Sequence, residues 1–248
     1  WAISAPTTFG REYGATSQQQ TLEAFSDTLI PGAKRFPGDR AIAGVDPIHA
    51  AVAAANAAIR DEARRSGTEG MGATLVGASV VRSSGSETAH ETVAVFHVGD
   101  SRCYRLHEGV LRLVTCDHSL VQQLVDAGRL AAADAAAHPM ANVVTRALGP
   151  DPDVATDVVL LGAAPGRLLL CSDGLSDEIP ARTIGRVLAG IADPQSAAER
   201  LVELVLAGAA RDNVTALVID TVRRPVGRSV LDTTARLDHD GAAALSAP

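Results

Sequence analysis

Lysine, cysteine and long apolar runs are all scarce in this 248-residue chain. Lys34 is its one lysine, and 22 basic residues are scattered among 29 acidic ones, for a formal charge of -7 at pH 7. Because no basic patch forms, we do not expect nucleic acid as a partner. No apolar run approaches the roughly 20 residues that span a bilayer, and the first ten residues lack a signal-like pattern. These absences favour a soluble, cytoplasmic protein.

Cysteine occurs three times, which is an odd number without CxxC spacing. Cys103, Cys116 and Cys171 each lie beside an apolar or strand-like segment. A disulfide framework or a zinc site would need paired or closely spaced cysteines. The sequence therefore predicts three buried free thiols in a reducing compartment.

The N-terminal third of the chain has the pattern of two helices. In "YGATSQQQTLEAFSDTLIPG", Thr16 or Ser17 is the N-cap candidate, and a Pro-Gly pair ends the apolar spacing. The second segment begins at Asp46, the expected N-cap, with Pro47 at the first helical position, and it ends before Gly67.

From Gly72 onward the sequence alternates between β-branched runs and short helical stretches. Glu108 and Gly109 are placed like a hairpin turn between two strands, and residues 117–119 offer caps for a helix. Two helices and a last strand follow "RLLLCSD", and beyond Val222 the periodicity is lost. This order predicts one α+β domain over residues 1–222, with a flexible C-terminal tail over residues 223–248.

Four aspartates share one pattern, in which an apolar strand is followed or preceded by a carboxylate beside Gly, Ser or Asn. They are Asp100, Asp173, Asp177 and Asp212. Strand ends converge in space, and Mg²⁺ or Mn²⁺ prefers such oxygen ligands. Each aspartate taken alone is better explained as a turn former, with its side chain bonded to nearby backbone. The four together predict a metal site.

Six motifs, in order, resemble those of the bacterial type 2C (PPM) metal-dependent protein serine/threonine phosphatases. They are "GMGATL", "HVGDSRCYR", "DHSLVQQLVDAG", "VVTRALG", "LLLCSDGLSD" and "RDNVTALVI". The resemblance implies an αββα sandwich of two antiparallel sheets flanked by helices, with a binuclear Mg²⁺ or Mn²⁺ centre at one edge. It implies that Asp173 and Asp212 are direct ligands of the first metal, and that Asp100 and Asp177 serve a third, weaker metal.

Other polar residues in these motifs have mainly structural interpretations. Asp117 and Arg146 are expected to form a buried pair, and Arg102 to pair with carboxylates. His118 could act as an acid or base, but its position in a helix-capping stretch favours a packing or hydrogen-bonding role.

The resemblance breaks at the N-terminus. Family members carry a strand that ends in "ADGMGG", whose aspartate bridges both metals, whereas this chain has "AISAPTTFG" there and no carboxylate before Glu12. Either the sequence has diverged, or the chain is a fragment whose first residues are not native. "WAISA" still fits the expected short strand, which favours divergence. Missing early strands would leave unpaired sheet edges, so the chain either packs differently, pairs with another chain, or is less stable than a full family member.

The resemblance implies a phosphatase that hydrolyses phosphoserine and phosphothreonine through a metal-activated water, with phosphorylated proteins and a Ser/Thr kinase as partners. Loss of the bridging aspartate leaves a second hypothesis open: a catalytically impaired pseudophosphatase that acts as a binding or regulatory module. A third is a metal-dependent hydrolase of small-molecule phosphates.

Overall fold

Two β-sheets form the centre of the fold. The computed structural model describes residues 2–4, 42–68, 70–82, 91–162, 164–208 and 212–222. The first sheet has the order β1-β3-β4-β7, and β2 lies beside β3; its strands are β1 (Ala2–Ser4), β2 (Ile42–Ala43), β3 (Leu75–Arg82), β4 (Glu91–Val98) and β7 (Asp157–Leu161). The second has the order β6-β5-β8-β9; its strands are β5 (Arg102–His107), β6 (Val110–Leu113), β8 (Gly166–Cys171) and β9 (Ala216–Thr221). All pairings are antiparallel except that of β2 with β3.

Five α-helices and a short 3-10 helix accompany these sheets in the described residues. The helices are α1 (Asp46–Ser66), α2 (Leu120–Asp126), α3 (Asp173–Ser176), α4 (Ala181–Gly190) and α5 (Pro194–Leu206), and the 3-10 helix spans Ala132–Ala137. None of these helices combines the length and the apolar character that crossing a bilayer requires.

The layer order follows from alternation along the strands. On β3, Leu75 and Val81 pack with Ile48 and Ile59 of α1, whereas Val76 faces the second sheet. Successive residues of a strand point to opposite faces, so one strand serves two cores. The first sheet thus separates α1 from the second sheet.

The second sheet repeats this alternation with the opposite helices. Leu168 and Leu170 of β8 face the first sheet, and Leu169 and Cys171 pack against the layer of α4 and α5. The resulting order is helix, sheet, sheet, helix. The predicted αββα sandwich is confirmed.

Several local expectations are confirmed and two are wrong. Glu108 and Gly109 form the turn between β5 and β6. The N-cap of α1 is Val45, one residue before the predicted Asp46, so Asp46 is the first residue of the helix. Cys103 and Cys171 are buried free thiols, but Cys116 is exposed, because it lies in the irregular segment between β6 and α2 and outside either sheet.

The N-terminal strand is present where the sequence predicted it. β1 pairs antiparallel with β3 through the register Ala2↔Ala78, Ile3↔Gly77 and Ser4↔Val76. β1 and β2 both lie on the side of β3 opposite β4, so they cover part of the edge that was expected to be unpaired. The predicted helix over residues 13–32 and the tail over residues 223–248 lie outside the described residues.

Candidate functional site

Three of the four predicted ligands lie beyond the same edge of the second sheet. One row of residues is in register across its three neighbouring strands: Arg102, Cys171 and Ala216. Asp100 lies two residues before this row, Asp173 two residues after it, and Asp212 four residues before it. Because the strands alternate in direction, all three aspartates leave the sheet on one side. Asp177 ends α3, the short helix that Asp173 begins.

The segments of Asp173 and Asp212 are in direct contact. The backbone N–H of Thr215 donates to the buried Oγ of Ser172 at 3.0 Å, and the N–H of Ser172 donates to the carbonyl of Thr215 at 3.2 Å. A Cβ placed on Gly174 would lie 2.2 Å from the carbonyl oxygen of Asn213 and 3.5 Å from Cβ of Asp212. Glycine is therefore required after Asp173 for the two loops to approach.

Each of these two carboxylates is oriented by the next backbone amide. The N–H of Gly174 donates to Oδ1 of Asp173 at 2.8 Å, and the N–H of Asn213 donates to Oδ1 of Asp212 at 2.7 Å. In Asp173, burial raises the pKa, and the hydrogen bond from Gly174 opposes this by favouring the charged form, which is the form that binds a cation.

Negative charge is concentrated at this edge. Burial, followed by the charge of Asp173, raises the pKa of Asp100 to about 7. Burial, followed by the charges of Asp212 and Asp177, raises the pKa of Asp173. Like charges held together in this way are stabilised by a cation, and a donor set made of carboxylate oxygens is suited to Mg²⁺ or Mn²⁺. These residues therefore fit the predicted metal.

Arg102 is held beside the cluster by Asp117. Its Nε donates to both carboxylate oxygens at 3.0 and 2.9 Å, and its Nη2 lies 2.5 Å from Oδ2. Its Nη1 lies 3.9 Å from Oδ1 of Asp177. The expectation that Arg102 pairs with carboxylates is confirmed. The predicted pair of Asp117 with Arg146 is wrong, because Asp117 faces β5 and its bidentate partner is Arg102.

Arg146 instead pairs with Asp157, a residue that the sequence analysis missed. Nη1 of Arg146 lies 2.6 Å from Oδ1 of Asp157, and Nε2 of His118 lies 3.3 Å from Oδ2. Burial alone would raise the pKa of Asp157, but the hydrogen bonds from Arg146 and His118 lower it. The available signal was its place at the start of β7, opposite His97 in the ladder with β4.

His118 has the hydrogen-bonding role that its position suggested. The ring is buried and stacks on His97, with centroids 4.6 Å apart and planes inclined by 18°. Burial, with the neighbouring His97 and Arg146, lowers the pKa of His118, so the neutral ring is favoured.

The ligand atoms of His97, His118 and Asp157 lie within 4.8 Å of one another, which in the described part of the chain is the one such group. The lone pairs of an imidazole lie in the ring plane, and the two rings are nearly parallel, so their lone pairs do not converge on one ion. Arg146 already neutralises Asp157. We therefore interpret this cluster as structural. The edge of the second sheet beyond which Asp100, Asp173 and Asp212 lie, called the aspartate edge below, is the place at which the sequence predicted the cation.

Comparison with known proteins shows which proteins share this sequence and fold. The chain is 38% identical over 194 residues to the serine/threonine protein phosphatase PstP of Mycobacterium tuberculosis. Among solved structures it resembles PppA of Pseudomonas aeruginosa, with 32% identity, a TM-score of 0.70, and coverage of 87% of this chain and 84% of that one. It also resembles the M. tuberculosis PstP/Ppp structure, with 31% identity, a TM-score of 0.73, and coverage of 89% and 92%. The chain belongs to the bacterial PPM family of serine/threonine protein phosphatases.

Coverage of the full-length PPM relatives is partial. The alignment with PstP takes in 78% of this chain and 35% of PstP. The serine/threonine phosphatase Stp of Listeria monocytogenes is 34% identical over 160 residues, which is 64% of this chain and 60% of Stp. One structural neighbour is the catalytic domain of PstP in complex with two manganese ions, at 30% identity and a TM-score of 0.69, covering 89% of this chain and 91% of that one.

A second family also matches part of this PPM chain. Residues 16–82 match a family of unknown function, DUF5987. The match begins after the residues at which the PPM "ADGMGG" strand was expected, takes in the helix predicted to follow, and ends with β3. Ser4 of β1 pairs with Val76, whose partner on β4 is His97. β1 therefore brings the chain to the aspartate edge, and the residues that follow, which carry no carboxylate before Glu12, lie outside the described residues.

Proposed function

We propose that this chain is a metal-dependent protein phosphatase that hydrolyses phosphoserine and phosphothreonine. The observation that carries the proposal is the convergence of Asp100, Asp173 and Asp212 at one sheet edge, with the pKa of Asp100 raised to about 7. Membership of the PPM family supports the reaction class, and the two manganese ions in the PstP neighbour support Mg²⁺ or Mn²⁺ as cofactor.

The proposed roles of the aspartates follow the family motifs. Asp173 and Asp212 hold the first cation, and Asp100 and Asp177 hold a weaker one. When bound, the ions supply a water of lowered pKa and neutralise the phosphate oxygens. Gly174 allows the loops of Asp173 and Asp212 to close on each other. Burial raises the pKa of Asp173, and the positive charge of Arg102 offsets part of that rise.

Phosphorylated proteins are the proposed substrates, and a bacterial Ser/Thr kinase is the proposed opposing enzyme. The support is the naming of PstP and Stp as serine/threonine phosphatases. We propose a cytoplasmic location, in keeping with a chain whose described helices include none that could span a membrane.

One sequence feature favours a second candidate function. The chain has no carboxylate before Glu12, where the resemblance to the family implies an aspartate that bridges both metals. A cation pair without that negative charge between its members is destabilised by mutual repulsion. The alternative is a module that keeps the sandwich and a partial metal site and binds phosphoproteins or a kinase without turnover.

Hydrolysis of p-nitrophenyl phosphate against Mn²⁺ concentration tests the proposal. We expect saturable activity in the unmodified chain and a loss of about 100-fold or more in Asp173→Asn, because a neutral amide replaces a charged ligand. Asp134→Asn, an exposed substitution on the 3-10 helix, is the matched control and should retain activity.

Two outcomes would redirect the proposal. No turnover of this ester or of a phosphopeptide at any Mg²⁺ or Mn²⁺ concentration, in folded protein, would contradict phosphatase activity; retained phosphopeptide binding would then favour the binding module. Turnover of small phosphate esters but not of phosphopeptides would support the small-molecule hydrolase instead.

A further inference from the structure

The turn that carries Asp100 is held from both sides by His118. The N–H of His118 donates to the carbonyl of Gly99 at 3.0 Å, and the N–H of Gly99 donates back to Nδ1 of the His118 ring at 3.0 Å. Gly99 adopts φ +106, and a Cβ there would lie 2.4 Å from Cγ2 of Thr74. The backbone N–H of Gly99, just before Asp100, therefore bonds a ring nitrogen and not a carbonyl of a neighbouring strand.

The ring that accepts this hydrogen bond is itself locked. Because Nδ1 of His118 accepts from Gly99, the neutral ring carries its proton on Nε2, and that N–H faces Oδ2 of Asp157 at 3.3 Å. Nη1 of Arg146, which can only donate, lies 2.6 Å from Oδ1 of Asp157 and 2.8 Å from Nε2. With the ring proton on Nε2, the hydrogen bond of Arg146 goes to Asp157 and not to the ring. His97 covers one ring face. Rotation of the ring would break both contacts.

We propose that His118 is a positioning residue for the cation site, which it serves by fixing the Gly99–Asp100 turn, and that Asp157, which accepts from Nε2, holds His118 in the required tautomer. This inference rests on the proposed function, because it takes Asp100 as a metal ligand. Groups that orient a ligand in this way are worth about 10- to 100-fold in metal affinity.

Two substitutions distinguish the role of Nδ1 of His118 from that of Nε2. In His118→Asn the amide oxygen lies near the former Nδ1 and can still accept from Gly99, but the side chain is too short to reach Asp157. In His118→Gln the amide lies near the former Nε2, and the acceptor for Gly99 is lost. We expect His118→Gln to weaken Mn²⁺ binding about tenfold, and His118→Asn to change it by less than about threefold.

Calorimetric titration with Mn²⁺ in two backgrounds tests this expectation. In Asp100→Asn protein, His118→Gln should cause no further loss, because the ligand it positions is already gone. Ile184→Val, a buried substitution in α4 on the far side of the second sheet, controls for general destabilisation and should leave Mn²⁺ affinity unchanged. An equal loss from His118→Gln in both backgrounds would overturn the proposal.

Amide hydrogen exchange of Gly99 in metal-free protein gives an independent readout. His118→Gln should accelerate exchange of this amide by about tenfold or more, and His118→Asn should not. Unchanged exchange in His118→Gln would overturn the positioning role even if Asp100 binds metal. A third outcome is accelerated exchange in His118→Gln together with unchanged Mn²⁺ affinity in the Asp100→Asn single variant. This would show that Asp100 is not a ligand. It would overturn the role of His118 toward the cation but leave its contact with Gly99 established.

Discussion

Gly174 is the residue whose lack of a side chain allows the loops of Asp173 and Asp212 to come into contact. The space that a side chain would need there is filled by the carbonyl of Asn213, whose oxygen lies 2.2 Å from where a Cβ would stand. This neighbour is backbone, which cannot swing away as a long side chain can. A single methyl group is therefore enough to separate the two loops that carry Asp173 and Asp212.

We predict that Gly174→Ala separates these loops and weakens Mn²⁺ binding by about tenfold or more, with a stability cost of about 1–3 kcal/mol from overpacking. Titration calorimetry and urea unfolding measure the two effects. Gly185→Ala is the control, because its Cβ would meet Leu111 at an ordinary 3.5 Å and alanine favours helix. Unchanged Mn²⁺ affinity in Gly174→Ala would contradict the proposed pairing of Asp173 with Asp212.

At the scale of elements, Arg167 connects two strands and a helix end. Its guanidinium forms a bidentate pair with Asp220 of β9, at 2.6 and 2.8 Å, and its Nη1 donates to the carbonyl of Leu188 at 2.9 Å. It also bonds the carbonyls of Ile191 and Ala192 just after α4. The last carbonyls of a helix have no partners within the helix, so Arg167 satisfies groups that would otherwise be left unpaired.

The hydrogen bond from Arg167 lowers the pKa of Asp220. A carboxyl whose pKa is lower in the folded state stabilises the fold above its unfolded pKa, near 4, and this contribution is lost as the pH falls through the folded value. We therefore predict that Asp220→Asn lowers the free energy of unfolding at pH 7 and that the difference from the unmodified chain shrinks toward pH 3. Urea unfolding across this range measures it; an equal difference at both ends would contradict the assignment.

At the scale of the whole molecule, the sandwich is held by the core between the two sheets. Val76 and Val95 of the first sheet meet Leu168 and Leu170 of the second, all buried. This layer joins the sheet that carries β1 to the sheet whose edge presents Asp173, so the geometry of the site depends on it.

We predict that Leu170→Ala, at a position with no exposed surface, lowers the free energy of unfolding by about 2–5 kcal/mol through lost burial and a residual cavity. Leu160→Ala on β7, where 57% of the residue is exposed, should cost less than about 0.5 kcal/mol. Chemical denaturation followed by circular dichroism compares the two. Similar costs at both positions would show that the core between the sheets does not carry the stability assigned to it.

Motif spacing and periodicity predicted much of this molecule. Periodicity predicted an α+β domain, the hairpin turn at Glu108 and Gly109, the strand at residues 2–4, and the placement of three aspartates at strand ends, because each depends on residues close in sequence or on alternation along a strand. The αββα sandwich was implied by the family resemblance of the six motifs. The ligand roles of Asp100, Asp173, Asp177 and Asp212 stay predictions.

The polar partners around the site were decided by the tertiary structure alone. Asp117 bonds Arg102 and not Arg146, Asp157 joins Arg146 and His118, and Cys116 is exposed, although nothing local distinguishes these residues from the alternatives. The physical reason is that an ion pair depends on which strands become neighbours and in what register. The sequence by itself determined the local elements and the family; only the packing of β4, β5 and β7 decided which charge meets which, and so how the turn of Asp100 is held.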